Sequence, residues 1–547
     1  MLPLAQAITE RRLCVREICN DGTGFLKQIV QFCVDGRARA WLRWRAMALP
    51  WNALRRRLDG GQVITPAGAG PASARSGSVG YGSALFDMAR LGWNSRFDAV
   101  LPQAIVRCAT ARDVAETIAF ARDHGIELAV RSGGHCFAGH SAGRGVVVDV
   151  SPMRSVRVEG GVAAIGAGAR LGHVYECLDE LGCTIPGGTC PSVGVAGLTL
   201  GGGLGILGRR YGVTSDRLIA AQVVLASGDI VACDERRHPD LFWALRGAGT
   251  GNFGIVTSLS FRTVLVPADT WSMHARWPAA AAAAVIDAWQ HWAPAVHDEV
   301  AASLKVTASA AGHPGGTPAA TADLYVTGSG TATGAAITGE LISRAGTPPV
   351  SVTQQRGPFA AARRFWANLG TDANQATASQ PVRSPVAGPQ RPFVFCRSEF
   401  FNRPLPADAI TRLLAVLADE TEPGVSYELD FMPWAGAYGQ TSPDATAFVH
   451  RDGLFQLKHS AVAEPPVTVG AQNAARRWIT RSWATTHPCG SGLVFPNFPD
   501  PDLDSPADRY YGANLSRLEL IKQHYDPGNL FRHPQSIPLP DPPRQPA

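Results

Sequence analysis

The sequence predicts an α+β protein of at least two domains, and three observations carry that prediction. Short strand-like runs and a helix follow one another in β-α-β-β order between Ala104 and Val150. Glycine is concentrated between Gly160 and Gly254. From Asp269 the chain changes to Ala-rich helices and Thr/Gly/Ala-rich strands. A length of 547 residues is enough for two or three hydrophobic cores.

Ordered domain signal begins near Trp51. Ala104 to Cys108, just after Pro102, reads as a strand. Ala111 to His124 places Val114, Ile118 and Ala121 at helical spacing, with Thr110 as N-cap and Gly125 as the stop. Glu127 to Arg131 and Gly145 to Val150 are two further strands. This order fits an α+β domain better than a regular doubly wound sheet. The later segment carries a helix over Ala279 to Trp292 and a strand over Ala322 to Val326. Thr371 to Gln390 reads as a long polar loop. A helix over Ala513 to His524 is closed by the turn Tyr525-Asp526-Pro527-Gly528.

Composition excludes several function classes. Apolar residues form 45% and charged residues 17% of the chain, so it is neither disordered nor highly charged. A formal charge of +5 over this length gives no reason to expect a nucleic-acid partner. No apolar run reaches 18 residues, so no membrane span is expected. The 11 cysteines form no CxxC pair, and no metal site is expected. Residues 1–50 carry Arg11-Arg12, three cysteines and an Arg/Trp-rich stretch. Polar residues interrupt what would be the core of a secretory signal. They read as a poorly ordered or loosely docked extension, and the protein as cytoplasmic more than secreted.

Four motifs carry the chemistry. Arg131-Ser132-Gly133-Gly134-His135 leaves a strand, where paired glycines let backbone N–H groups cradle a phosphate. A surface turn with a solvated His is the other reading of the same residues. The run Gly187 to Gly205 holds eight glycines with Cys190 near its start. It lacks the Gly-Lys-Ser/Thr of a P-loop and the acidic residue of the dinucleotide fingerprint. The third motif is Arg246-Gly247-Ala248-Gly249-Thr250-Gly251-Asn252-Phe253-Gly254-Ile255-Val256. The fourth is Tyr510-Tyr511-Gly512-Ala513-Asn514 with Tyr525-Asp526-Pro527-Gly528-Asn529.

In this order the four motifs resemble the berberine bridge enzyme-like family of FAD-linked oxidases, over roughly Trp51 to Pro538. The resemblance implies a two-part FAD-binding domain of PCMH type over 51–268. It implies a substrate domain over 269–504, an antiparallel sheet covered by helices, and a C-terminal segment over 505–547 that returns to the FAD domain. It implies covalent FAD, with His135 joined to the 8α-methyl and Cys190 to ring carbon C6. Pyrophosphate and ribityl contacts are implied for Arg131, Ser132, Gly133 and Gly134, and for Gly139, His140 and Ser141. Further flavin contacts are implied for Thr189, Val193, Gly194, Gly197, Gly201, Gly202, Gly203 and Gly205. Gly254, Ile255 and Val256 complete the cradle, and Asn514 resembles the residue that closes over the flavin. Cys136 stands where Ser is usual.

The implied reaction is hydride transfer from a substrate C–H to the flavin while a base takes the adjacent proton, followed by reoxidation with dioxygen. In similar proteins the residue three after the covalent Cys gates dioxygen. A small Val193 there implies an oxidase rather than a dehydrogenase. The implied substrate is a bulky alcohol, amine or natural product, with a carbohydrate as the alternative, and the protein reads as a monomer or weak homodimer. The base is open. Gln456 and Lys458 share one strand face; Lys458 is either a base of lowered pKa or the partner of a carboxylate. Sugar oxidases often use a Tyr where this chain has Phe495 and Phe498, neither of which can transfer a proton. Tyr427 and Asp430 are replacement candidates, with Asp430 read as structural. Trp434, Tyr438, Phe455 and Phe495 are candidates for an aromatic pocket wall.

Overall fold

The Thr110 side chain accepts from the Asp113 backbone while the Asp113 carboxylate accepts from Thr110 N, so the helix Ala111–Asp123 starts on a full capping box. Its apolar stripe, Val114, Ile118 and Ala121, is buried. In the computed structural model, which describes residues 49–66, 81–309, 319–330, 334–368, 391–419 and 422–540, this helix belongs to the first of three layers. From Leu54 onward the chain forms one unit. The extension over 1–50, save its last two residues, and the loop over 371–390 lie outside the described residues.

The first layer is a four-stranded sheet in the order Gln62–Ile64, Ala104–Arg107, Val146–Asp149, Leu128–Arg131. The last three strands are mutually parallel, and Gln62–Ile64 is antiparallel to its neighbour. Val146, Val147 and Val148 are fully buried, as expected of a parallel strand covered on both faces. The second layer is a five-stranded antiparallel sheet that runs Val156–Glu159, Val162–Gly166, Ile255–Arg262, Leu218–Val224, Ile230–Cys233.

The third layer is a seven-stranded antiparallel sheet. Its order is Ser351–Gly357, Thr270–Pro278, Ala319–Ser329, Ala301–Ser309, Val425–Pro433, Phe455–Ala463, Phe393–Phe401. Side chains alternate across it. Trp271, Met273, Leu304, Val306, Leu429, Phe431 and Leu457 enter one apolar core with residues of the helices Ala282–Trp292, Ala407–Asp419 and Val469–Thr486. Residues of the opposite face, among them Ser303, Lys305, Glu428, Asp430 and Lys458, form a cavity wall.

The C-terminal segment packs back on the glycine-rich layer. Buried Lys522, on the helix Leu515–Tyr525, donates to the carbonyls of Asn252 and Phe531 and pairs with Asp526 at 2.7 Å. Every hydrogen of this ammonium group therefore has an acceptor, which is what burial of a charge requires.

Candidate active site

A cavity of about 1820 Å³ runs between the four- and five-stranded sheets and the polar face of the seven-stranded sheet. A single small-molecule site takes roughly 300–1,000 Å³, so this space suits a large cofactor together with a substrate.

The loop after the strand Leu128–Arg131 leaves the carboxyl end of a parallel strand, where open sheets place ligands. At Gly133 a Cβ atom would fall 2.2 Å from Gly194 N, so only glycine lets the His135 and Cys190 loops touch. Ser132 Oγ donates to Ala167 O at 2.6 Å and anchors the turn. His135 lies against Trp93, with rings stacked at 5.2 Å and 18°. Burial, aided by the charge of Arg170, pushes the His135 imidazole down to about 3, so it is neutral. Its Nε2 is buried and has no hydrogen-bond partner among the described residues. Cys190 Sγ is 3.3 Å from Ser192 Oγ, and both side chains line the cavity.

Most of the residues chosen from the sequence meet here. Ser132, Gly133, Gly134, His140 and Ser141 line the cavity from the first loop. Thr189, Val193, Gly194, Gly197 and Gly205 line it from the second, and Gly254 and Val256 from the third. Seven of those chosen as cofactor contacts do not line it. Arg131 is buried, and its guanidinium donates to the carbonyls of Ala89, Arg90 and Ser141. Gly139 packs on Phe97, Gly201 on Asn497, Gly202 on Phe448 and Gly203 on Thr214. Ile255 alternates away from Gly254 and Val256 along its strand. Asn514 clamps a neighbouring loop through Pro443 O at 2.8 Å and Thr446 O at 3.2 Å. These residues shape the cradle from behind.

On the sheet wall, strand alternation corrects two sequence readings. Tyr427 points into the helix-covered core, with its ring 5.0 Å from that of Trp478, so it does not face the cavity. Asp430, read as structural, does face it. Lys458 Nζ is 2.9 Å from Asp430 Oδ2, and Ser303 Oγ donates to Asp430 Oδ1 at 2.8 Å. The next pair along the wall is Lys305 with Glu428 at 3.1 Å. Burial opposes ionisation of Asp430, but the charges of Lys458 and Lys305 and the two hydrogen bonds outweigh it and hold the carboxyl below its usual range. Lys458 is likewise desolvated, yet Asp430 and its acidic neighbours raise its pKa. Of the two roles open to Lys458, the geometry favours the ion pair over the free base.

Gln456 shares the Lys458 face but is fully buried and does not line the cavity, and neither amide atom has a hydrogen-bond partner among the described residues. The aromatic wall is smaller than expected. Tyr438 and Phe495 reach the cavity. Trp434 is buried behind Tyr438 at 4.3 Å, and Phe455 belongs to the helix-side core. Two residues absent from the sequence reading are Trp93 and Arg170. Each is a lone residue outside the four motifs, so no spacing marked it.

Family models match the chain at residues 102–234, described as an FAD binding domain, and at 494–538, described as berberine and berberine like. The chain is 31% identical over 449 residues to the FAD-linked oxidoreductase YgaK of Bacillus subtilis, which spans 80% of this chain and 91% of that protein. The chain belongs to the berberine bridge enzyme-like family of FAD-linked oxidases. This berberine bridge enzyme-like oxidase is also 30% identical over 525 residues to aclacinomycin-N/aclacinomycin-A oxidase of Streptomyces galilaeus, covering 85% of this chain and 92% of the relative. A solved structure of glucooligosaccharide oxidase from Acremonium strictum, with 6-S-cysteinyl, 8α-N1-histidyl FAD, superposes with a TM-score of 0.72 at 25% identity. It covers 83% of this chain and 94% of that one. The residues present fit FAD: a glycine cradle at the carboxyl end of a parallel strand and, on the cavity wall, a neutral His135 whose buried Nε2 has no partner among the described residues.

Proposed function

We propose that this FAD-linked oxidase oxidises a bulky, hydroxyl-bearing substrate at an alcohol carbon. The Asp430 carboxylate serves as the group that holds the alcohol proton, and FAD is tethered at both His135 and Cys190. The observation that carries the reading is the Asp430–Lys458 pair on the cavity wall. When bound, FAD supplies the hydride acceptor. Asp430 is kept ionised by two lysines, so it accepts a hydrogen bond from a substrate hydroxyl at all but acid pH. Lys458 balances its charge and lies 5.0 Å from the Phe498 ring, which covers the pair from the other side. Phe495 and Phe498 contribute shape and exclude water but cannot take a proton.

The substrate class follows from the wall. Ser303, Lys305, Thr307, Glu428 and Ser460 face the cavity alongside Asp430 and Lys458. A floor of this kind rewards hydroxyl groups and strands an unsubstituted aromatic ring over polar groups it cannot satisfy. The double tether is supported by the glucooligosaccharide oxidase, which carries 6-S-cysteinyl, 8α-N1-histidyl FAD, and by the contact of the two loops here. Val193, one of the small residues lining the cavity next to Cys190, leaves room for dioxygen.

Peroxide release on oligosaccharides, hydroxylated natural products and unsubstituted aromatic amines tests the reading. Turnover among the hydroxylated compounds is expected. Turnover confined to the aromatic amines would sink it.

A further inference from the structure

Arg170 lines the same cavity as His135 and Cys190. It closes the strand-to-helix turn ahead of the helix Leu171–Asp179, and its backbone pairs with Gly194 in an isolated antiparallel bridge. Leu171 N donates to Val193 O at 3.0 Å, and Gly172 N to Pro191 O at 2.9 Å. The segment 170–172 therefore tracks the Cys190 loop residue by residue. The Arg170 side chain is half-buried at the cavity wall, and among the described residues its guanidinium has no hydrogen bond and no ion pair. Its electrostatic partners are Asp149, Cys190 and His135. Four other cations on the cavity wall are paired: Lys305 with Glu428, Lys458 with Asp430, Arg363 with Asp179, Arg391 with Asp98.

We infer that Arg170 is the positioning residue for the second tether, supplying the cation beside which the Cys190 sulfur meets the flavin edge. The inference rests on the double tether proposed above. The bond in question joins sulfur to a ring carbon and breaks that carbon's C–H bond. The ring proton and the thiol proton leave to solvent. The two electrons pass into the flavin and from it to dioxygen, which is reduced to hydrogen peroxide. The nucleophile in such a step is a thiolate, and an adjacent cation favours that form. Attachment at His135 needs only a neutral imidazole, which burial already provides. Loss of the Arg170 charge therefore separates the two links.

The test is peptide mass mapping of R170M, R170K and the parent protein, each purified with its flavin, with circular dichroism to confirm folding. In the parent both peptides carry FAD. In R170M the His135 link persists, and the fraction of protein with the Cys190 link falls at least tenfold. R170K restores at least half of it. R170M with both links at the parental fraction would overturn the role of Arg170 and leave the double tether standing. R170M that holds no flavin at all would also overturn it, because the effect would then be on binding. A parent protein lacking the Cys190 link would remove the double tether and this inference together.

Discussion

Lys458 Nζ sits 2.9 Å from Asp430 Oδ2 on the cavity face of the seven-stranded sheet, and Ser303 holds the other carboxylate oxygen. The pair comes from neighbouring antiparallel strands in which Asp430 stands directly opposite Lys458. Cross-strand neighbours of opposite charge are thus brought together by register alone.

Replacing Asp430 by Asn keeps the shape and removes the proton acceptor. Flavin content should be unchanged and kcat should fall by about 10²–10⁴, the usual worth of a general base. Tyr427→Phe should leave kcat within about twofold, a change under ~0.5 kcal/mol, because that side chain faces the helix-side core. Steady-state peroxide assays on the two variants check both outcomes.

The acid limb of the pH profile belongs to the same pair. Asp430 has a pKa below its ordinary value, so the active carboxylate is present above that pKa and lost as pH falls through it. In Lys458→Met the principal opposing charge is gone, and burial pushes the carboxyl upward. The acid limb should move to higher pH while activity persists above it. If Lys458 were itself the base, activity would be lost across the whole range with no limb to move.

His135→Ala and Cys190→Ala should each keep flavin bound through the remaining link, and the double variant should release it on acid precipitation. The absorbance of the precipitate and the supernatant reports this directly. Complete release from either single variant would show that the other link never forms.

Val193→Leu should slow reoxidation of the substrate-reduced enzyme by air about tenfold, equivalent to ~1.4 kcal/mol, by filling space beside Cys190. Stopped-flow mixing with oxygenated buffer gives the rate. Reduction by substrate under anaerobic conditions should stay the same.

Acid should begin to destabilise the protein from about pH 6.5 downward, before most of its carboxylates titrate. Burial, with smaller contributions from neighbouring charges, pushes His450, His459 and His533 down to about 3. Between about 6.5 and about 3 the unfolded chain binds protons that the folded chain does not. Stability is therefore present above the unfolded pKa and falls as pH drops through this window, by up to about 1.4 kcal/mol per pH unit for each histidine. Urea midpoints at pH 7 and pH 5 should differ accordingly, and equal midpoints would contradict the burial of these side chains as neutral groups.

The sequence by itself determined the family, the cofactor and the local elements around the cradle. Those properties reside in short contiguous patterns: a capping box at Thr110, a glycine pair before His135, a glycine run after Cys190. Each acts within a few residues, so spacing reveals it. Strand alternation and register were left to the tertiary structure, because they depend on which face of a sheet the helices cover. Tyr427 and Asp430 are three residues apart on one strand and fall on opposite faces, a distinction that residue type cannot make. The partner of Lys458 needed a register, the setting of Arg170 needed the packing of two loops, and the retreat of Asn514, Arg131 and Gly201 to Gly203 behind the cavity needed the third dimension. His135 and Cys190 were legible as a pair from motif order, but their physical connection is the close approach of Gly133 to Gly194, two backbones far apart in sequence and in contact in the fold.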